Sequence, residues 1–147
     1  MVEFRRLDIE KKIENLKTPS APGPDGISGE FLKGLKTSVS LPLSIIFTAS
    51  MIESVVPADW KMAHVTPIYK SKGSKAQAGN YRPVSLTSIC CKVMESLIRD
   101  RIIEHLDRSH MINPSQHGFM KKKSCTTNLM SFWKERRKQR INENQWT

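Results

Sequence analysis

Six basic side chains and no acidic one lie between residues 60 and 92, and this window has the clearest chemical meaning in the sequence. The six are Lys61, Lys70, Lys72, Lys75, Arg82 and Lys92. The 147-residue chain carries 24 Lys and Arg against 14 Asp and Glu, a formal net charge of +10. Such a charge favours polyanionic partners, with nucleic acid the first candidate and an anionic membrane the second. The plain alternative for any charge run is a solvated face.

A second basic excess lies at the end of the chain, where residues 120–147 hold eight basic residues and two acidic ones. Its densest part runs from Lys134 to Arg140. A solvated face explains that run as well as a binding role does, and a nuclear localisation patch is a further, unspecific reading.

Cysteine and histidine do not define a further site. Cys90 and Cys91 are adjacent and Cys125 is alone, so there is neither a disulfide framework nor a C-x-x-C pair for zinc. The sequence has no apolar signal region at its start and no run of roughly 18 apolar residues. We therefore predict no bound metal, no membrane partner and an intracellular location, in the nucleus or the cytoplasm.

The elements on either side of the first basic window are predicted to be mostly helical. Ile9, Ile13 and Leu16 recur at helical spacing and predict a first helix that ends near Lys17. Ser28 is predicted to cap a short helix. The apolar face of that short helix is Phe31, Leu32 and Leu35.

Three longer helices are expected after these. The first has Pro42 in its first turn and a core face made of Leu43, Ile46, Phe47, Met51, Ile52 and Val55. The second runs from Ser88 to about Leu106, with Ile89, Val93, Leu97, Ile98 and Ile102 along one side. The third spans Thr126 to about Ile141, with Leu129, Met130 and Trp133 facing inward.

Residues 64–86 have the composition of a β-hairpin. Two β-branched and aromatic segments, 64–69 and 81–86, flank a polar loop of residues 71–80. Pro67 and Pro83 each lack the amide donor of a strand ladder, so both strands are expected to be short or at a sheet edge. The basic residues of the first window would then lie on this hairpin and its loop.

Five short motifs in order carry a resemblance to a known family: APGPDGIS at 21–28, VPADWK at 56–61, PIYKSKG at 67–73, NYRPVSL at 80–86 and QHGF at 116–119. Over about residues 9–133 the chain resembles the reverse transcriptase of non-long-terminal-repeat retrotransposons, jockey-like elements especially. The resemblance implies an α+β fold, mostly helical with a small antiparallel β-hairpin. It would be the fingers region of a right-hand polymerase, with the palm incomplete.

The resemblance also suggests which residues bind. Nucleotide addition requires that the negative charge of the incoming triphosphate be neutralised. A hairpin with Lys and Arg and no acidic residue supplies positive charge without competing carboxylates. Lys70 and Arg82 match the family's hairpin residues at the triphosphate. Gln116, Gly118 and Phe119 match the segment near the nucleotide, where an ordinary turn is the alternative. Predicted nucleic-acid contacts are Lys72, Lys75, Lys121, Lys122 and Lys123.

The catalytic acids of the family's palm have no counterpart here. Two-metal polymerisation needs acidic residues on palm strands, yet the last Asp of the chain is Asp107. We therefore expect no catalytic residue and no cofactor in this chain, with Mg²⁺ needed by the complete enzyme. We also expect a truncated chain: a partial reverse transcriptase domain over residues 1–133 and a divergent basic tail over 134–147.

The leading hypothesis is a fragment of a retrotransposon RNA-directed DNA polymerase that is inactive alone. Its partners would be an RNA template with a DNA primer, or an RNA–DNA duplex, and deoxynucleotides in the complete enzyme. The alternative is a non-catalytic nucleic-acid-binding module that uses the basic hairpin and tail. A product without function is the third possibility.

Overall fold

A computed structural model describes residues 2–113, 115–118, 120 and 123–143, excluding the side chains of residues 139 and 141–143. Within these residues the chain is α+β, with five α-helices and one two-stranded antiparallel sheet, which confirms the predicted class. The helices are α1 (Arg6–Glu14), α2 (Gly29–Gly34), α3 (Lys36–Glu53), α4 (Ile89–Arg108) and α5 (Cys125–Glu143), and the strands are β1 (Ala63–Tyr69) and β2 (Tyr81–Thr87). The chain divides into two compact units, one ending at Ile103 and the other beginning at Glu104.

The hydrophobic core of the first unit is made by helices. It consists of Phe4, Ile9, Ile13, Leu32, Leu43, Phe47, Ile89, Cys90, Val93, Met94 and Leu97. Phe47 is fully buried, and its ring meets Phe4 and Trp60 edge-on at centroid distances of 5.4 and 5.7 Å. No residue of β1 or β2 belongs to this core, so the hairpin is held by its attachment to the helices rather than by burial.

Polar contacts tie α1 to the neighbouring helices. The Ser44 hydroxyl of α3 donates to the Phe4 carbonyl at 2.6 Å, and the Ser40 hydroxyl donates to the Glu10 carboxylate at 2.9 Å. Ion pairs join Lys12 to Asp100 and, at 3.4 Å, Arg101 to Asp8. Because these charged groups are at least partly exposed, each ion pair contributes little, roughly 0–1 kcal/mol.

The predicted cap at Ser28 is confirmed, and Ser88, which was predicted only as the start of a long helix, caps its helix as well. The Ser28 hydroxyl accepts a hydrogen bond from the Phe31 amide at 3.1 Å at the start of α2. The Ser88 hydroxyl accepts one from the Cys91 amide at 3.3 Å at the start of α4. Each cap satisfies one of the four amides that a helix start leaves unpaired.

The predicted core face of α3 was largely wrong. Its buried residues are Ser40, Leu43, Phe47 and Ser50, whereas Ile46, Met51, Ile52 and Val55 are exposed. The helix is apolar almost all round, so periodicity alone does not select the face that packs. On the packed side, Ser40 instead bonds Glu10 of α1, and Ser44 bonds the carbonyl of Phe4, just before α1.

Two further predictions about helices were also wrong. Helix α3 begins at Lys36, so Pro42 lies inside it and not in its first turn. Several residues predicted to face a core are exposed because no other described element covers them: Phe31 and Leu35 of the α2 segment, Ile102 of α4, and Leu129, Met130 and Trp133 of α5. Helix α5 is continuous across residues 133 and 134, and the predicted boundary of a tail at that point stays a prediction.

The loop with the first motif packs against the base of the hairpin. A Cβ added to Gly23 would lie 2.6 Å from both the Ser88 amide nitrogen and the Thr87 carbonyl carbon. Only glycine allows the loop backbone to approach this close to the junction of β2 and α4. The loop itself is closed by a hydrogen bond from the Gly26 amide to the Gly23 carbonyl at 3.1 Å. The motif therefore fixes where the hairpin leaves the helical core.

Candidate nucleic-acid interface

The register of the hairpin puts the two principal cations on one face. Ile68 lies opposite Arg82, and the Lys70 amide donates to the Asn80 carbonyl at 2.8 Å just beyond the paired strands. Because side chains alternate between faces, Lys70 and Arg82 lie on the same side of the ribbon. Tyr69 and Tyr81, which are paired across the strands, lie on the other side.

The two prolines of the hairpin do not interrupt the hydrogen bonds between its strands. This corrects the expectation that each proline removes a donor from the ladder. Pro67 and Pro83 lie directly opposite each other. Hydrogen-bonded and non-hydrogen-bonded residue pairs alternate along an antiparallel ladder. Lys70 and Asn80 form a hydrogen-bonded pair, so the Pro67–Pro83 pair, three positions away, is a non-hydrogen-bonded one. The missing amides would have pointed outward, where a further strand could have added.

Polar contacts hold the tip between the strands. The Tyr81 hydroxyl donates to the Lys75 carbonyl at 2.9 Å, and the Tyr69 hydroxyl donates to the Gly73 carbonyl. The two rings pack at a centroid distance of 5.4 Å, with the Lys75 ammonium 5.8 Å from the centre of the Tyr69 ring. The tyrosines thus brace the tip.

Sequence reasoning missed the role of Gly73 and Asn80 in this tip. Gly73 has a φ of +82°, and a Cβ there would lie 2.6 Å from the Asn80 amide nitrogen. That amide donates to the Ser74 carbonyl at 2.7 Å. The only available signal was an Asn placed directly before the second strand and a Gly after the basic residues of the first.

The predicted hairpin cations differ in how they are engaged. The Lys70 ammonium donates to the Gly79 carbonyl at 2.8 Å, so it would have to turn outward to meet a ligand. The side chains of Arg82 and Lys72 are exposed and make no hydrogen bond or ion pair within the described residues. No acidic residue occurs between residues 60 and 92 to compete for them. The hairpin therefore presents uncompensated positive charge to solvent.

The segment around Gln116 belongs to the second unit and forms a turn of its own. The Gln116 amide donates to the Asn113 carbonyl at 2.8 Å, and the Lys123 ammonium donates to the Gln116 carbonyl at 2.8 Å. Among the described residues, a Cβ on Gly118 would meet the Gln116 side-chain amide nitrogen, at an ordinary 3.5 Å. Phe119, Lys121 and Lys122 lie outside the described residues, so their predicted roles stay predictions.

The Cys90 and Cys91 thiols are poor nucleophiles near neutral pH. Burial, helped by the Asp25 carboxylate, raises the pKa of Cys90 to about 11. Burial, helped by the Glu95 carboxylate, raises the pKa of Cys91 to about 11 as well.

Among the residues that the structure describes, no three His, Cys, Asp or Glu side chains are grouped so that they could hold a metal ion.

None of the helices in the described part of the chain has the length and apolar character that crossing a bilayer requires. What the fold does present is a helical α+β unit with a basic, acid-free hairpin on its surface.

The chain is similar in sequence to several known proteins. It is 30% identical over 116 residues to the probable RNA-directed DNA polymerase from transposon BS of Drosophila melanogaster, which covers 79% of this chain. It is 28% identical over 116 residues, again 79% of the chain, to that of transposon X-element from the same organism. It is 29% identical over 112 residues, 76% of the chain, to the RNA-directed DNA polymerase from its mobile element jockey. No protein-family model matches the chain.

The chain is a relative of the RNA-directed DNA polymerases of non-long-terminal-repeat retrotransposons, which confirms the predicted resemblance. It spans about 13% of the length of the relatives from BS and X-element and 12% of that from jockey. The similarity thus concerns one segment of much larger proteins.

Proposed function

We propose that this chain is the fingers segment of a retrotransposon reverse transcriptase and that its hairpin binds the phosphates of nucleotide and template. The observation that carries the proposal is the arrangement of Lys70 and Arg82 on one face of an exposed hairpin whose own segment, residues 60–92, contains no acidic residue. Transfer of a nucleotidyl group depends mainly on positioning and on neutralising phosphate charge. An exposed ribbon suits that task when its Arg82 side chain has no partner among the described residues and its Lys70 side chain bonds a backbone carbonyl that it can release.

The individual roles follow from exposure and position. Arg82, which is unpaired within the described residues, would contact the triphosphate directly, and Lys70 would join it after releasing the Gly79 carbonyl. Lys72 and Lys75, nearer the tip, would contact template phosphates. Gln116, Gly118, Phe119 and Lys121–Lys123 are proposed to contribute from the second unit.

A nucleotide titration tests the hairpin assignment. A deoxynucleoside triphosphate added to ¹⁵N-labelled chain should shift amide resonances of residues 68–72 and 80–84 saturably. Arg82→Gln should weaken this binding at least several-fold, because a charged hydrogen bond is worth about 1.5–3 kcal/mol. The matched control Lys11→Gln removes an exposed lysine on α1 and should change nothing. Equal shifts in all three proteins would count against the proposal.

The chain alone is not proposed to polymerise. Primer extension with purified chain, RNA template, Mg²⁺ and deoxynucleotides should yield no product above a heat-killed control. Extension above that control would show that the chain carries catalytic groups that the assignment omits.

The second candidate is a non-catalytic nucleic-acid-binding module that uses the same hairpin. The unpaired Arg82 and Lys72 favour it, because a phosphate backbone needs no more than exposed cations. It predicts binding to duplexes with steep salt dependence and no response to a single deoxynucleotide. The nucleotide titration therefore separates the two candidates.

A further inference from the structure

Helix α5 carries an exposed surface that the fingers assignment does not use. Leu129, Met130, Phe132 and Trp133 each leave more than half of their surface exposed, and Trp133 is 60% exposed. An open groove of about 780 Å³ runs along the helix and is lined by Leu129, Met130, Trp133, Arg136, Arg137 and Arg140, among others. Exposed apolar side chains that form a continuous patch usually mark a surface that binds another molecule.

The cations of this helix continue the aromatic face along the axis. Arg136, Arg137 and Arg140 follow Trp133 by three, four and seven residues, spacings that share one side of a helix. Trp133 and Arg140 are separated by roughly 10 Å along the axis, at 1.5 Å rise per residue. Between residues 134 and 140 there are five basic residues and one acid, Glu135.

These arginines are not engaged by carboxylates. In the part of the second unit that the structure describes, Arg136, Arg137 and Arg140 form no ion pair. The Arg136 guanidinium instead lies 5.5 Å from the centre of the Phe132 ring, and the Phe132 and Trp133 rings meet edge-on at 6.2 Å. The surface of α5 thus places aromatic rings beside arginines that form no ion pair among the described residues.

We propose that this face of α5 binds single-stranded nucleic acid, with bases stacking on Trp133 and phosphates contacting Arg137 and Arg140. Aromatic rings beside a basic track are the combination that single strands need, because every base has a stacking face and every phosphate a charge. A membrane-surface helix carries its cations on the side opposite the apolar residues. In α5 the arginines share the side of Trp133, so a strand that crosses the face fits better than a bilayer.

The test measures anisotropy of a labelled 20-mer of deoxythymidine with the full chain at two salt concentrations. Trp133→Leu keeps an apolar side chain but loses stacking, and should weaken binding about tenfold. Arg137→Gln with Arg140→Gln should lower the magnitude of the salt slope by about 1.4, since each contact to a single strand contributes about 0.7. The control Lys11→Gln with Lys17→Gln removes two exposed lysines elsewhere and should leave the slope unchanged.

All α5 variants are also made together with Lys70→Ala and Arg82→Ala, so that binding by the hairpin is measured separately. Losses that persist with the hairpin cations removed support a distinct surface on α5. The proposal is overturned if Trp133→Leu binds like the parent, or if the arginine pair behaves like the lysine control. It is equally overturned if the α5 changes abolish binding to phosphatidylserine vesicles while binding to the 20-mer is unaffected.

Discussion

The helical core leaves Phe47, Ile9 and Ile13 without exposed surface, whereas β1 and β2 place no side chain in a core. An isolated two-stranded hairpin is marginally stable at best. Here the ribbon is attached at Gly23 and Ser88 and braced at its tip by tyrosine hydroxyls. The difference separates two roles, because changes in the core should cost stability, and changes on the hairpin should cost binding.

The largest loss of stability is expected from Phe47→Ala. This change removes a fully buried ring that contacts both Phe4 and Trp60, and such truncations cost about 3–5 kcal/mol. Urea unfolding followed by circular dichroism measures the loss. The control Ile45→Ala, on the exposed side of the same helix, should stay within about 0.5 kcal/mol of the parent. Similar losses in both variants would contradict the observed core face of α3.

The junction between core and hairpin should respond next. Gly23→Ala forces a methyl group against the backbone of Thr87 and Ser88, and overpacking of this kind costs about 1–3 kcal/mol. Gly34→Ala serves as the control, because a Cβ at that position meets nothing within 4 Å. If the two alanine variants unfold at the same urea concentration, the loop does not anchor the hairpin.

A smaller and local effect is expected from Tyr81→Phe. It removes the hydroxyl that donates to the Lys75 carbonyl, a bond worth about 0.5–1.5 kcal/mol. Amide hydrogen exchange should become faster in residues 71–80 while global unfolding is almost unchanged. Ser85→Ala, an exposed change on β2, should not affect exchange at the tip. Unaltered exchange in Tyr81→Phe would show that the hydroxyls do not order it.

The smallest effect concerns the ion pair between α1 and α4. Partial burial tends to raise the pKa of Asp100, but hydrogen bonds from Lys12 and Arg99 outweigh it, so the pKa lies below its ordinary 3.8. A lowered pKa stabilises the fold above the unfolded value and ceases to do so as pH falls through the folded value. Asp100→Asn should therefore cost at most about 1 kcal/mol at pH 7, and the cost should shrink as the pH falls below 3.8. A loss of the same size at every pH would assign it to packing.

How much the sequence could predict follows the same division. The cap at Ser28 and the start of a helix at Ser88 were correctly predicted because both depend on local residues. The hairpin was correctly predicted because proline, glycine and β-branched residues mark it. The packing side of α3 could not be predicted, since the helix is apolar nearly all round and tertiary contacts select the buried side. The bond from Lys70 to the Gly79 carbonyl likewise depends on how the loop folds back, which no residue pattern specifies.

The central claim is that the hairpin cations bind nucleic acid without supporting the fold. Anisotropy of a labelled RNA–DNA duplex at two salt concentrations tests it, with the parent compared with Lys70→Ala, Arg82→Ala. Salt-sensitive binding that the double change weakens, at unchanged urea stability, is the predicted result. Binding that is the same in both proteins, or a double variant that unfolds more easily by the amount of its lost affinity, would contradict it.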